Sequence, residues 1–315
     1  MARADCSTIH RLQSTHPSPL ALPASSLWPA LGLTCNALVW GLSWWPFRQL
    51  QALGLHPLWA TVIVYLLAVV VILAARPKAL RQLVRTPALW LLLLASGTTN
   101  AAFNWAMVIG DVVRVVLLCY LMPLWVVLLA RLLLNEALTP MAAVRVLLAL
   151  AGAAIVLWPQ GGQGLPLPRS LPDWLGVLAG FSFALNNVML RREAAQPEES
   201  RALAMFLGGA LVAAGVATLL TLQGQVAQPP ALAWGWVTLT LGLSVCFLFS
   251  NLALQYGTAR LPANVTSVVM LTEVLFASVS ALLLGGGAMT PALALGGGLI
   301  LLAALLSAFG RPAPH

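Results

Sequence analysis

Charge is what this sequence has least of. Its 315 residues include 16 Lys or Arg and 8 Asp or Glu, so 8% are charged while 60% are hydrophobic. A water-soluble domain needs far more charge on its surface, so the composition excludes that class. Histidine is also scarce: His10, His16, His56 and His315 all fall in tails or a loop. That leaves no convergent His, Asp or Cys set for a membrane enzyme, and a non-enzyme is expected. The cysteines Cys6, Cys35, Cys119 and Cys246 lack metal-ligand spacing and read as packing residues. No Gly-Lys-Ser/Thr phosphate loop occurs, which argues against ATP-driven pumping within this chain. Neither a metal nor a cofactor is expected. The net charge of +8 is carried by scattered single cations rather than clusters, which argues against a nucleic-acid partner.

What the sequence has is apolar runs of membrane-spanning length, each about 20 residues. Ten can be placed, at 28–49, 57–75, 87–108, 112–134, 140–158, 173–191, 202–222, 231–256, 262–284 and 290–309. Turn chemistry separates them, including "RPKALRQLVRTP", "NEALTP" and "GGGAMTP". Thr139-Pro140 and Thr290-Pro291 each supply a capping hydroxyl and a first-turn proline. The first 27 residues are rich in Ser, Pro and His and lack an apolar core, so a disordered cytoplasmic tail is expected rather than a cleaved signal. A similar short tail is expected at 310–315.

With the N-terminus inside, 13 of the 16 basic residues fall on the inner side, and only Arg48, Arg114 and Arg169 fall outside. This asymmetry predicts a multi-pass protein with both termini cytoplasmic.

Internal similarity divides the chain. "FNWAMVIGD" (103–111) lines up with "SNLALQYGT" (250–258), pairing Asn104 with Asn251. "LLLNEALTP" (132–140) parallels "LLLGGGAMTP" (282–291) with one residue added, and "WGLSWWPFR" (40–48) lies over "FALNNVMLR" (183–191). The expected fold is all-α and integral to the membrane, with ten transmembrane helices as two inverted five-helix repeats. The repeats occupy 28–159 and 173–309, joined by a linker at 160–172. An odd number of spans per repeat forces the halves into opposite orientations, and such designs place a site between the halves at mid-membrane.

These features resemble the EamA branch of the drug/metabolite transporter superfamily: "WGLS" in the first run (40–43), and "YLMPLWVVLLARLLLNEALT" (120–139) with Pro123, Glu136 and Leu138-Thr139. Within that branch the likeness is to YddG-type aromatic amino-acid exporters. The resemblance implies export of amino acids across a bacterial inner membrane. The second half departs from the family pattern: Glu273 is followed by Val274 rather than Pro, and the next turn is Gly285-Gly286-Gly287.

Polar and aromatic side chains inside the runs are the candidate substrate-binding residues. Helix one offers Trp40, Ser43 and Trp44, helix three Asn100, Phe103 and Asn104, and helix four Tyr120. Helix six offers Phe183, Asn186 and Asn187, helix eight Phe247, Asn251 and Gln255, and helix nine Glu273. Asn amides can both donate to and accept from a zwitterion, and aromatic rings wall its side chain. Each Asn can equally be interhelical glue. Trp40 and Trp44 can equally be interface-belt aromatics, although Trp28, Trp59, Trp90, Trp158, Trp174 and Trp234 lie nearer run ends and fit that belt better. Glu273 is expected to meet a substrate ammonium, carry a coupling proton, or stand as a buried structural acid. Asp111 and Arg114 read as a solvated pair and cap, Glu136 as a structural cap or loop acid, and the Gly- and Ala-rich helices five and ten as packing or dimer elements.

The partners expected are a small-molecule amino acid and membrane lipid, with monomer or oligomer left open. A drug or cationic-metabolite transporter and a non-transporting scaffold are the competing readings.

Overall fold

The computed structural model describes residues 27–135, 139–158, 165–258, 260–261 and 263–308. Among these every regular element is helical. The first half contains α1 (Leu27–Leu42), α2 (Trp44–Ala52), α3 (Pro57–Ala75), α4 (Lys78–Arg85) and α5 (Pro87–Ile109). It continues with α6 (Val112–Cys119), α7 (Met122–Leu134) and α8 (Pro140–Val156). The second half contains α9 (Leu171–Arg192), α10 (Glu198–Leu222) and α11 (Trp234–Thr258). It ends with α12 (Ala263–Met270), α13 (Thr272–Leu283) and α14 (Pro291–Ala308). The expected tails, Glu136 and Cys6 lie outside the described residues.

Five stretches are long and apolar enough to cross a membrane: 57–75, 112–134, 171–192, 198–222 and 234–258. The protein is a multi-pass membrane protein. Shorter apolar helices fill 140–156, 268–283 and 291–306. α5 is long enough, at 23 residues, but carries Ser96, Thr98, Thr99, Asn100 and Asn104 in its middle.

Three runs expected to be continuous are broken. Pro46 has no N–H for the Leu42 carbonyl, and α1 ends at Leu42. Ser43 turns back there, its Oγ donating to the Trp40 carbonyl at 2.8 Å. Pro123 likewise has no N–H for the Cys119 carbonyl, and α6 ends at Cys119. The third break has no proline: Thr272 Oγ1 donates to the Val269 carbonyl at 2.6 Å, and Val274 N takes the tighter i−3 partner, the Leu271 carbonyl, at 3.2 Å. The segment "RPKALRQLVRTP", expected as a turn, instead forms α4, with Ala79 and Leu83 buried.

The bundle is held by close backbone approach. α5 packs against α9 and α10, α10 also against α3, α1 against α11 and α13, and α9 against α6 and α7. A Cβ on Gly97 would strike the Gly208 carbonyl, and one on Gly208 the Leu93 carbonyl, so α5 and α10 meet as backbones. α8 and α14 cross at Gly152 and Gly296 in the same way, as expected for the packing role of helices five and ten. Five of the six expected belt tryptophans are exposed; Trp59 is half-buried and packs into the bundle.

Caps follow the sequence. Thr139 Oγ1 accepts from Ala142 N at 3.1 Å, and Thr290 Oγ1 from Leu293 N at 3.2 Å. His56 caps α3, its Nδ1 accepting from Leu58 N at 3.3 Å, with its ring edge-on to Trp105. Partial burial lowers the His56 pKa below its ordinary value. Its contribution to stability is therefore full above about pH 6.5 and is lost as pH falls through that value toward the lowered one. Thermal unfolding across this range should show that loss in the native chain, and His56→Asn, a cap that does not titrate, should abolish it.

Candidate functional site

The sequence candidates separate into two neighbouring groups in the interior. The first is aromatic and amide-rich. Trp40 lies 4.7 Å from Phe247, centroid to centroid, and Phe247 lies 6.4 Å from Phe47 and 6.0 Å from Tyr65. Tyr65 donates to Asn100 Oδ1 at 2.5 Å, while Asn100 Nδ2 donates to the Ser96 carbonyl at 2.8 Å. Asn100 thus has both ends of its amide engaged within the bundle. Asn104 Nδ2 donates to Thr61 Oγ1 at 3.1 Å, but its Oδ1 is buried without a partner. An unsatisfied buried amide oxygen costs about 1–3 kcal/mol.

The second group lies at the helix breaks. Tyr120, the residue that follows α6, has its hydroxyl 3.2 Å from Glu273 Oε2 and 3.4 Å from the Met270 carbonyl. Met270 ends α12, so its carbonyl lies at the break between half-helices. One phenol therefore touches both the carboxylate and the break of the opposing span. Glu273 is half-buried. Trp40 packs against the cores that contain both groups.

Other candidates are placed differently. Trp44 is fully buried, and its Nε1 donates to Ser280 Oγ at 3.0 Å, tying α2 to α13. Ser43 is buried at the α1–α2 break, and Phe103 lies in the core with Tyr120. Asn186 is buried with Oδ1 unpartnered, Asn187 Nδ2 contacts Met122 Sδ at 3.2 Å, and Phe183 is exposed. Asn251 is half-buried on α11. The side chain of Gln255 lies outside the described residues.

The Arg48 end of the bundle is bolted shut. Arg48 Nη2 donates to the Gly110 carbonyl at 2.6 Å and the Gly286 carbonyl at 3.3 Å, with its guanidinium 4.9 Å from the Trp44 ring centroid. Val112 N donates to the Gly286 carbonyl at 3.1 Å, and Asp111 Oδ2 accepts from Ala288 N at 3.0 Å. Each glycine of the 285–287 turn has its own requirement. Gly285 has φ +70°, a Cβ on Gly286 would enter the Trp44 ring, and one on Gly287 would enter the Asp111 carboxylate. At the opposite end, α12 has no fully buried residue among those described.

Asp111 is a cap, as expected, its Oδ1 accepting from Arg114 N at 2.9 Å. The side chain of Arg114, however, pairs with Asp173 rather than Asp111. Its Nε lies 2.6 Å from Asp173 Oδ1, its Nη2 3.1 Å from Oδ2, and its Nη1 donates to the Val156 carbonyl at 2.7 Å. This two-pronged pair joins α6, α8 and α9. Asp173 is buried and its backbone N–H is capped by Ser170.

Sequence reasoning passed over Tyr65, Ser280 and the Asn36–Ser250 pair, in which Asn36 Nδ2 lies 2.6 Å from Ser250 Oγ. Ser280 was findable: Glu273, Ala277 and Ser280 recur at i, i+4 and i+7 on one face. Of the cysteines, Cys119 is buried, whereas Cys246 is exposed and so does not pack.

Residues 27–158 match the EamA-like transporter family. No curated protein matches the chain. A crystal structure of a protein shares the fold with a TM-score of 0.55, over 89% of this chain and 96% of its own, at 22% identity. The shared fold thus runs well beyond the matched domain.

Asp173→Asn should lower stability by about 1–3 kcal/mol by leaving the Arg114 guanidinium without its charge partner, and Asp111→Asn by less. Denaturation of the two purified variants in one detergent checks the order.

Proposed function

We propose that this protein is a secondary transporter exporting amino acids, aromatic or neutral, and related metabolites across a bacterial inner membrane by alternating access. The observation that carries this reading is the contact of Glu273 with Tyr120 where two half-helices meet. Discontinuous spans that present a carboxylate and break-point carbonyls at mid-membrane form sites for small ions and zwitterions.

The two-repeat architecture belongs to the same proposal: ten spans, five in 28–159 and five in 173–309, inserted in opposite senses with both termini inside. The alignment of 132–140 with 282–291 places Met122 over Thr272, the residues that begin α7 and α13. The packing has the reciprocity that inverted halves require. α5 on α9 is answered by α1 on α11, and α9 on α6–α7 by α1 on α12–α13, while α3–α10 and α8–α14 are self-paired. Glycines repeat the pattern: Gly180 of α9 meets the Cys119 carbonyl, and Gly41 of α1 meets the Glu273 carbonyl.

In this scheme Trp40 and Phe247 wall the substrate side chain, Glu273 takes the ammonium, and Asn104 Oδ1 and Asn186 Oδ1 are acceptors for further donors. Asn251 and Asn187 complete the paired positions. Asn100 is glue. The Arg48 bolt closes the outer side, and opening follows by parting α2 and the 285–287 turn from the 110–112 link.

A second reading, efflux of cationic drugs or metabolites, is favoured by one observation: Glu273 is held by a neutral hydroxyl rather than by a cation. Radiolabelled flux in proteoliposomes, with competition by all twenty amino acids, separates these readings. Competition by amino acids supports the first, competition only by cations lacking a carboxylate supports the second, and no flux supports a scaffold.

Asn104→Leu should cut the transport rate by about tenfold, corresponding to loss of one polar contact of about 1.4 kcal/mol, with a smaller fall in folded yield. Equal losses would assign Asn104 to packing. Glu273→Gln should flatten the pH profile of flux, and an unchanged profile would remove proton coupling from this carboxyl.

A further inference from the structure

Helix α4 has no part in the interior site, yet its surface is unusually ordered by type. Stepping about 100° per residue, Ala79 and Leu83 form one face and are buried against the bundle. Leu80 and Val84 form the adjoining sector and are exposed. Lys78, Arg81 and Arg85 form the sector beyond and are also exposed. Between Arg76 and Arg85 the sequence has four cations and no acid.

The helix is not a loose excursion. Gln82 Nε2 donates to Gln196 Oε1 at 3.3 Å, and Ser200 Oγ donates to Gln82 Oε1 at 3.2 Å, so α4 is fastened to the start of α10. The acids of that neighbour, Glu198 and Glu199, belong to α10, on which α4 docks. The position of α4 along the membrane normal follows from its connections, since it leaves the span α3 at Ala75 and enters α5 at Pro87. It therefore lies at the membrane surface, where an apolar sector next to a cationic one can face acyl chains and phosphates together.

We propose that α4 is a binding surface for anionic phospholipid headgroups. Lys78, Arg81 and Arg85 pair with lipid phosphates, and Leu80 and Val84 rest on the upper acyl chains. Through Gln82 the bound lipid fixes the start of α10, the helix that meets α5 at Gly208 and whose Gly209 meets Tyr65. The inference is independent of which substrate is carried.

The test uses the full chain in nanodiscs of phosphatidylcholine, with and without phosphatidylglycerol, followed by mass spectrometry of retained lipid and by thermal unfolding. The native chain should retain phosphatidylglycerol preferentially, and added salt should weaken that preference. Each neutralised cation should weaken retention roughly fivefold, so Lys78→Gln, Arg81→Gln and Arg85→Gln together should weaken it about a hundredfold. Arg81→Gln alone serves if the triple variant does not fold. No preference in the native chain, or a preference unchanged in the variants, would overturn the proposal. So would equal stabilisation by inorganic phosphate in phosphatidylcholine discs, which would make this a soluble-anion site.

Discussion

Inside a membrane, a backbone carbonyl released from its helix has no water to turn to, so the protein must accommodate it. Much of this structure follows from that constraint. Pro46 and Pro123 remove the N–H groups that would bind the Leu42 and Cys119 carbonyls, and Thr272 takes over the Val269 carbonyl. Around these breaks the polar and small residues of the interior collect. Tyr120 reaches Met270 and Glu273, Ser43 turns back to Trp40, and Gly180 brings the backbone of α9 onto the Cys119 carbonyl. The result is a polar centre in a chain whose composition is overwhelmingly apolar.

Glycine does the complementary work. Where lipid offers helices no hydrophobic reason to associate, close approach of backbones supplies dispersion contact instead. Gly97 with Gly208 and Gly152 with Gly296 are such crossings. The 285–287 turn uses three glycines for three reasons, namely a left-handed backbone, an indole face and a carboxylate. One end of the bundle is thereby locked through Trp44, Arg48 and Asp111. The other end, around α12, is less buried.

Several features were legible in the sequence because they depend on local pattern. Runs of membrane length, the Thr-Pro caps and the Gly-rich packing helices all encode their structure within a few residues. The break at Cys119 was in principle legible from Pro123, and that at Leu42 from Pro46, yet hydropathy smooths over both. The break after Met270 has no proline and rests on a threonine hydroxyl, so its only sequence signal is the alignment of the two halves. α4 was hidden because eight residues of mixed character look like turn chemistry until Ala79 and Leu83 find a surface to cover.

The sequence by itself determined that this protein lives in a membrane and where its Thr-Pro-capped helices begin, because hydropathy, caps and glycines act over short range. It also supplied the inventory of polar groups available to a site. Only the tertiary structure decided how that inventory is used. Asn100 is engaged at both ends by Tyr65 and Ser96, Asn104 keeps a bare oxygen, Arg114 passes over Asp111 for Asp173, and Trp44 bonds Ser280. The physical reason is that hydrogen bonds join atoms within about 3 Å, and which helix faces come that close depends on contacts between residues far apart in the chain.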